Sequence, residues 1–170
     1  MGNDPDRRKF LSIATCGVGG AVGLAVLAPT LSLIVDPARK QTVTTPREPL
    51  DIGDPTMLAA EWRKVDVVAP QVRDAWVTST NVVLGAAWLR KVGTKVEALS
   101  AVCPHLGCPV SWDGGGFLCP CHNSRFGPNG EVGTGPAKRG LDPLPVEVKD
   151  GRLRLTWVTY KLDTATRVKA

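Results

Sequence analysis

The hydrophobic pattern divides the chain into two parts of different character. From Phe10 to Val35 no side chain is charged, and a helix of this length can cross a hydrocarbon core of about 30 Å. From Trp62 onward, apolar residues come in short runs separated by Gly, Pro and polar residues, which predicts β-strands. We therefore expect a single N-terminal transmembrane helix followed by a mainly β domain of antiparallel strands.

The predicted strands are short and are separated by recognisable turns. Gly93-Thr94 separates two of them, and Asp150-Gly151 lies between two alternating runs, a pattern typical of a β-hairpin. Before the first strand, prolines interrupt a polar stretch and predict an extended, flexible connector. The resulting division is an anchor over 1–35, a connector over 36–56 and a β domain over 57–170. The expected strands are 64–68, 76–78, 82–92, 95–102, 146–148 and 153–157.

Composition and charge narrow the classes of protein to which the chain can belong. The 170 residues include 18 Gly and 14 Pro, which favours a loop-rich β domain over a helix bundle. The 21 Lys and Arg exceed the 16 Asp and Glu by only five, and the positive charges are dispersed. The charge therefore argues against nucleic acid as a partner. The length favours one compact domain with a short appendage over a multi-domain enzyme with its own large substrate cavity.

The residues that flank the apolar run indicate its orientation. Three basic residues precede the run and three follow it, so the positive-inside rule does not decide between the two orientations. The segment Arg7-Arg8-Lys9-Phe10-Leu11 resembles the twin-arginine signal of bacterial export. Because the run is longer than the apolar part of a cleaved signal, about 7–15 residues, we predict a retained anchor. The N-terminus would then be cytoplasmic, with everything after Val35 outside.

Most of the chain's metal-binding side chains lie in two loops, 103–108 and 119–124. The loops contain four of the five cysteines and both histidines. Two cysteines and two histidines form a common zinc ligand set, so a structural zinc domain is one interpretation. Zinc fingers, however, pair Cys with Cys and His with His, whereas here each loop supplies one cysteine and one histidine at close spacing. A zinc site stays open as the non-redox alternative.

The spacing of Cys103-x-His105 and Cys119-x-x-His122, with a further cysteine in each loop, resembles that of the Rieske [2Fe–2S] proteins. The resemblance implies one [2Fe–2S] cluster. In it, Cys103 and Cys119 would bind one iron through their thiolates. His105 and His122 would bind the other iron through their imidazoles.

The same resemblance implies further residues around the cluster. Cys108 and Cys121, the cysteines not used as ligands, would form a disulfide. Gly135-Pro136-Ala137 resembles the proline loop, 135–137, that covers the cluster in this family. Phe126 stands where many members have Tyr, so one hydrogen bond to the cluster would be missing and the redox potential would be lower. The residues expected next to the cluster are Leu106, Gly107, Ser124, Phe126, Gly135 and Pro136.

The anchor, connector and β domain together resemble the iron–sulfur subunit of bacterial cytochrome bc-type complexes. This resemblance implies a subunit of a membrane quinol–cytochrome c reductase that is not active alone. It would oxidise quinol at a site shared with cytochrome b, where His122 would be hydrogen-bonded to the quinol with His105 beside it. It would then pass the electron to a c-type cytochrome. The low potential expected from Phe126 suits menaquinol. The β domain, or head, would lie on the periplasmic side of the bacterial inner membrane.

Two departures from the bc-type pattern matter. Cys103-Pro104-His105 replaces the more usual Cys-Thr-His and is similar to the small Rieske subunit of arsenite oxidase, so the small subunit of a molybdenum oxidase is the second assignment. Only 13 residues separate His105 from Cys119, which predicts a shortened tip around 113–116. The basic residues near the loops are expected to be solvated surface residues; they are Arg125, Lys138 and Arg139.

Overall fold

The N-terminal part of the chain is one long helix. The computed structural model describes residues 5–39, 48–73 and 77–170. Helix α1 spans Pro5–Arg39, and within it Asp6–Asp36 is long and apolar enough to cross a membrane. The side chains of this stretch are exposed or partly exposed and none is buried, as expected of a lipid-facing helix. The predicted N-terminal helix is confirmed.

The strands in the rest of the described chain form three small sheets of three strands each. In the first sheet β1 pairs with β9 and β9 with β8; in the second the order is β2-β3-β4; in the third it is β5-β6-β7. A short 3-10 helix, Pro55–Met57, follows β1. The strands are β1 Leu50–Gly53, β2 Arg63–Arg73, β3 Thr78–Val92, β4 Lys95–Ser100, β5 Ser111–Trp112, β6 Phe117–Cys119, β7 Ser124–Phe126, β8 Val146–Lys149 and β9 Arg152–Leu155.

The hairpin of β8 and β9 forms where the alternating pattern predicts it. Val146 pairs with Leu155 and Lys149 with Arg152. The two turn residues between the strands, Asp150 and Gly151, both have positive φ, 51° and 72°. This is the mirror-image turn whose twist matches that of the flanking strands and which Asp-Gly favours. Local turn chemistry therefore sets the register here.

Strand β1 corrects the predicted extent of the connector. Leu50–Gly53 lies within 36–56, yet it pairs antiparallel with β9 and buries Leu50 and Ile52. Asp51, on the opposite face, accepts hydrogen bonds from Arg152 at 2.9 and 3.0 Å. The folded domain thus begins at Leu50 or earlier rather than at residue 57, because a distant strand supplies the partner. Residues 40–47 of the predicted connector lie outside the described residues.

The second sheet contains the longest strands. Strands β3 and β4 pair from Ala87–Ser100 to Val92–Lys95 around the predicted Gly93-Thr94 turn. Strand β4 ends at Ser100, two residues earlier than predicted, and Val102 instead forms an isolated bridge with Pro109. The predicted strand 76–78 falls partly outside the described residues, because 74–76 are not described; Thr78 begins β3.

The third sheet occupies residues that the sequence predicts as loops. Its strands have only two or three residues each. Strands β5 and β6 are joined by a tight turn in which the Asp113 carboxylate accepts hydrogen bonds from Gly115 and Gly116 N–H at 3.0 and 2.9 Å. This turn is the shortened tip that the spacing predicts. Cys119 ends β6 and pairs with Ser124, the first residue of β7.

Two hydrophobic cores support these sheets. The first lies between the first and second sheets, and the second joins the second sheet to the third and contains Cys103 and Cys119. Phe117 is central to the second core, with ring centroids of three tryptophans at 4.9 to 5.7 Å. Two of the cysteines therefore belong to a rigid interior. The second core consists of Trp62, Trp88, Leu99, Ala101, Cys103, Val110, Phe117, Cys119, Phe126, Ala137 and Leu141.

Candidate metal centre

Loop 103–108 turns Cys103 inward and leaves His105 at the surface. Cys103 N–H donates to the Cys108 carbonyl at 2.7 Å, and Gly107 N–H donates to the Cys103 carbonyl at 2.9 Å, which closes the loop on itself. Gly107 has a φ of 82°, a conformation that L-residues rarely adopt. As a result Cys103 is 1% exposed, His105 is half-buried and Leu106 is 56% exposed.

Loop 119–124 repeats this arrangement with a different turn. Cys119 is 1% exposed at the end of β6, and His122 is exposed. Asn123 has a φ of 57°, a left-handed conformation that Asn tolerates better than most residues. The reversal at Asn123 brings the chain back as β7 and buries Ser124 completely. Each loop therefore presents a thiol to the interior and an imidazole to solvent.

A disulfide joins the two loops. Cys108 and Cys121 are bonded, with their Cα atoms 6.6 Å apart and 13 positions apart in sequence. The disulfide expected from the resemblance is confirmed. The free cysteines of the described chain are then Cys16 in the helix and the buried pair Cys103 and Cys119.

The two free thiols of these loops are neighbours, and the two imidazoles are neighbours as well. The rings of His105 and His122 have centroids 4.8 Å apart and lie nearly perpendicular, at 82°. Burial raises the pKa of the Cys103 thiol and the neighbouring Cys119 thiol raises it further, against hydrogen bonds from the His105 N–H and the Ser124 hydroxyl that lower it. A thiolate in this position needs a cation beside it, and iron would supply one.

The donor set fits a centre with two unlike sides. The sulfur atoms of Cys108, Cys119 and Cys121 lie within 4.8 Å of one another. Two of these sulfurs are bonded to each other, so the three cannot form a three-thiolate metal site. The available donors are two enclosed thiols and two adjacent imidazoles at the surface, which matches a Rieske-type cluster.

The proline loop lies against loop 119–124. Ala137 N–H donates to the Ser124 hydroxyl oxygen at 3.3 Å, and Arg125 N–H donates to the Thr134 carbonyl at 2.8 Å. Gly135 has a φ of 104°, and a Cβ placed on it would lie 2.6 Å from the Ser124 Cα. Pro136 is exposed. The backbone of this loop therefore approaches the second loop as closely as a residue without a side chain allows.

We predict that Gly135→Ala separates the proline loop from Ser124. The left-handed backbone and the overlap with Ser124 together should lower the free energy of unfolding by about 2–4 kcal/mol. Gly114→Ala is the matched control, because Gly114 has a similar φ of 96° but open space around it. Denaturant unfolding of both variants checks the prediction. Equal losses in the two variants would show that backbone strain alone acts and that the contact with Ser124 is unimportant.

Two residues close in sequence to the loops, Phe126 and Arg139, are buried. Phe126 is 3% exposed and packs in the second core with Phe117. Arg139 is 5% exposed and donates to both carboxylate oxygens of Asp142 at 2.8 and 2.9 Å, which raises the Arg139 pKa. The expectation that Arg139 is solvated is therefore wrong. The acidic partner three positions later was the available signal.

The comparisons with known proteins decide the family. A family model described as the Rieske [2Fe-2S] domain matches residues 62–147. The chain belongs to the Rieske family. The predicted fold and the predicted [2Fe–2S] cofactor are thereby confirmed. Loops 103–108 and 119–124 and the proline loop of this Rieske chain all lie within the matched residues.

Full-length relatives extend this finding to the N-terminal helix. The Rieske chain is 35% identical over 159 residues to the menaquinol:cytochrome c reductase iron–sulfur subunit of Bacillus subtilis (strain 168), covering 90% of this chain and 92% of that one. It is 35% identical over 156 residues to the subunit of the same name from Geobacillus thermodenitrificans, covering 88% and 89%. It is 30% identical over 154 residues to the cytochrome b6-f complex iron–sulfur subunit of Chlorobaculum tepidum, covering 89% and 76%.

Proposed function

We propose that this Rieske chain is the iron–sulfur subunit of a bacterial quinol–cytochrome c reductase of the bc type. The observation that carries the proposal is the match over nine-tenths of the chain to menaquinol:cytochrome c reductase iron–sulfur subunits. Such a match includes the apolar helix, which a soluble Rieske protein would not need. Under this proposal the subunit works only together with cytochrome b and a c-type cytochrome.

The proposed ligands follow from burial and side-chain chemistry. Cys103 and Cys119 supply thiolates from the interior, and His105 and His122 supply imidazoles at the surface. Two thiolates and two neutral imidazoles leave the oxidised centre without net charge, so it accepts an electron more readily than a centre with four thiolates. Rieske centres accordingly lie at about −150 to +300 mV, against about −400 mV for plant-type ferredoxins.

His122 is the proposed contact with quinol. Its ring is exposed and stands beside that of His105, so its outer nitrogen can accept a hydrogen bond from a quinol hydroxyl. When bound, the cluster supplies a one-electron acceptor next to that nitrogen. Oxidation of a quinol also releases protons, which an imidazole can hold and a thiolate ligand cannot. Leu106, 56% exposed beside His105, would help to keep water out of a docked site.

The proposed topology places the head on the outer face of the bacterial inner membrane. The Arg7-Arg8-Lys9-Phe10-Leu11 segment supports export with the N-terminus left in the cytoplasm. The Cys108–Cys121 disulfide supports the same orientation, because disulfides persist outside the reducing cytoplasm. Helix α1 would be the retained anchor, and the residues between it and Leu50 would be the tether.

Phe126→Tyr is expected to raise the midpoint potential. Phe126 shares the second core with Cys103 and Cys119, and the family resemblance implies that a tyrosine hydroxyl at this position donates a hydrogen bond to the cluster. A hydrogen bond that favours the reduced state by about 1.4 kcal/mol raises a one-electron potential by about 60 mV. Phe117→Tyr adds a hydroxyl to the same core from the neighbouring strand, and an equal rise in that variant would show that added polarity in the core, and not the position of residue 126, changes the potential. Voltammetry that shows an unchanged or lower midpoint for Phe126→Tyr would contradict the prediction.

Purification of the tagged full chain from membranes tests the proposed function. A Rieske-type EPR signal, together with co-purified cytochrome b and menaquinol-dependent reduction of cytochrome c, would support it. Recovery of a molybdopterin subunit in place of cytochrome b would favour the molybdenum oxidase that Cys103-Pro104-His105 resembles. Zinc in place of iron would overturn both assignments.

A further inference from the structure

The last residues of the chain form a closed segment, 159–170, which we name the C-terminal strap. Lys161 N–H donates to the Val168 carbonyl at 2.8 Å, and Ala170 N–H donates to the Thr159 carbonyl at 2.9 Å. Tyr160 and Lys169 form an antiparallel bridge. The strap follows β9 but belongs to none of the three sheets, so the sheets do not account for its position.

One side of the strap contacts the first cluster-binding loop. Asp163 N–H donates to the Pro104 carbonyl at 2.9 Å, and Pro104 is the residue between Cys103 and His105. Leu162 lies next to Gly107, with its Cδ1 3.2 Å from the place where a Cβ would stand. The strap is thus bonded to the backbone of the residue that separates a proposed thiolate ligand from a proposed imidazole ligand.

The other side of the strap is bonded to the segment that follows the proline loop. Arg139 Nη1 donates to the Thr164 carbonyl at 2.7 Å and to the Thr164 hydroxyl oxygen at 2.8 Å. The rest of the Arg139 guanidinium is held by Asp142, which also accepts from Arg167 Nε at 3.2 Å. Lys138 Nζ lies 2.9 Å from the Asp163 carboxylate. The buried Arg139–Asp142 ion pair holds the guanidinium in place for these bonds, because separating the pair would leave an uncompensated charge in the interior.

These contacts fix the first loop at a point that the disulfide does not reach. The disulfide joins Cys108, at the end of that loop, to the second loop. The strap joins Pro104, near its beginning, to the proline-loop side of the domain. We infer that the C-terminal strap is a positioning element that holds Cys103 and His105 in ligand geometry and slows the loss of the cluster. The inference rests on the ligand assignment proposed above.

Two pairs of full-length variants test the role of the strap. Asp163 has a φ of 53°, which Pro cannot adopt, and Pro also lacks the N–H that binds Pro104. Asp163→Asn keeps the N–H and tolerates this φ. It loses the ion pair with Lys138, which is half exposed and contributes little to stability. In the second pair, Thr164→Val removes the hydroxyl that Arg139 binds, and Thr164→Ser restores it.

The measurement is the rate at which the purified holoprotein loses its visible circular dichroism in an iron chelator. Asp163→Pro should lose the cluster about tenfold faster than the wild type, the factor that corresponds to about 1.4 kcal/mol in an energy barrier. Thr164→Val should be about threefold faster, because it loses the hydroxyl that accepts from Arg139 and that donates within the strap to the Lys161 and Thr166 carbonyls. Asp163→Asn and Thr164→Ser should resemble the wild type. The EPR g-values of the reduced cluster should shift in Asp163→Pro, since its ligands are displaced.

The outcomes separate the inference from the proposed function. Equal rates of cluster loss in the wild type and Asp163→Pro, or equal rates in Thr164→Ser and Thr164→Val, would overturn the role of the strap. A normal Rieske EPR spectrum in the same samples would leave the ligand assignment standing. A faster rate with unchanged g-values and a matching fall in unfolding midpoint would also overturn it, because general destabilisation would then be sufficient. A wild-type chain without a Rieske spectrum would refute the ligand assignment and the inference with it.

Discussion

Cys119→Ala should leave the purified chain with less than about a tenth of the wild-type iron and without its visible colour. Cys119 is one of two buried free thiols, and alanine offers no donor atom in its place. No cysteine nearby can substitute, because Cys108 and Cys121 are bonded to each other. Iron analysis and absorbance spectroscopy of the variant measure the effect.

Cys16→Ala is the matched control for this result. Cys16 is also a free cysteine, but it is exposed on the N-terminal helix, far in sequence from both loops. Its variant should keep the full iron content. Wild-type iron in Cys119→Ala, or equal losses in the two variants, would show that Cys119 is not a ligand.

The double variant Cys108→Ala/Cys121→Ala should lower the free energy of unfolding by about 3 kcal/mol. In the chain-entropy description this is the contribution of a cross-link that closes a loop of about 14 residues. The disulfide is also the covalent link between loops 103–108 and 119–124, which hold the cluster in the ligand assignment proposed above, so we expect faster loss of the cluster. Denaturant titration of the detergent-solubilised protein measures the change in stability. Wild-type protein treated with a reductant gives an independent comparison, since it has the same broken link without a change of side chain.

A loss of less than about 1 kcal/mol in the double variant would contradict this expectation. It would mean that the hydrogen bonds of each loop, such as Cys103 N–H to the Cys108 carbonyl, already fix the native geometry. In that case the disulfide would matter for resistance to opening rather than for equilibrium stability.

Elements determined by neighbouring residues could be predicted from the sequence, and elements determined by partners far along the chain could not. The helix follows from an uninterrupted apolar run, and the β8–β9 hairpin follows from Asp150-Gly151 between alternating residues. Strand β1 was assigned to the connector because its partner is far away: Asp51 binds Arg152, 101 positions later. The sequence predicts loops where the third sheet lies, because strands of two or three residues are too short to show the alternation of apolar and polar residues that indicates a β-strand.

The site shows the same division between local and distant causes. Cysteine and histidine spacing predicts the ligand residues, because metal-binding chemistry restricts residue type within each loop, and that assignment stays a prediction. The left-handed backbone at Asn123 had no such signal, since Asn is common in ordinary loops. The strap contacts also escaped prediction. Arg139 and Thr164 are 25 positions apart, and nothing in either residue type specifies that they meet.

The unequal exposure of the two sides of the centre has a consequence for turnover. The thiols lie in the interior, whereas the imidazoles of His105 and His122 lie at the surface. The shortest path for an electron, both into and out of the centre, is therefore through this imidazole edge. Under the proposed function, donor and acceptor compete for that edge and cannot occupy it together. In each catalytic cycle the β domain would bind its electron donor first and its electron acceptor second. The turnover rate would then depend on how quickly the domain moves from one to the other.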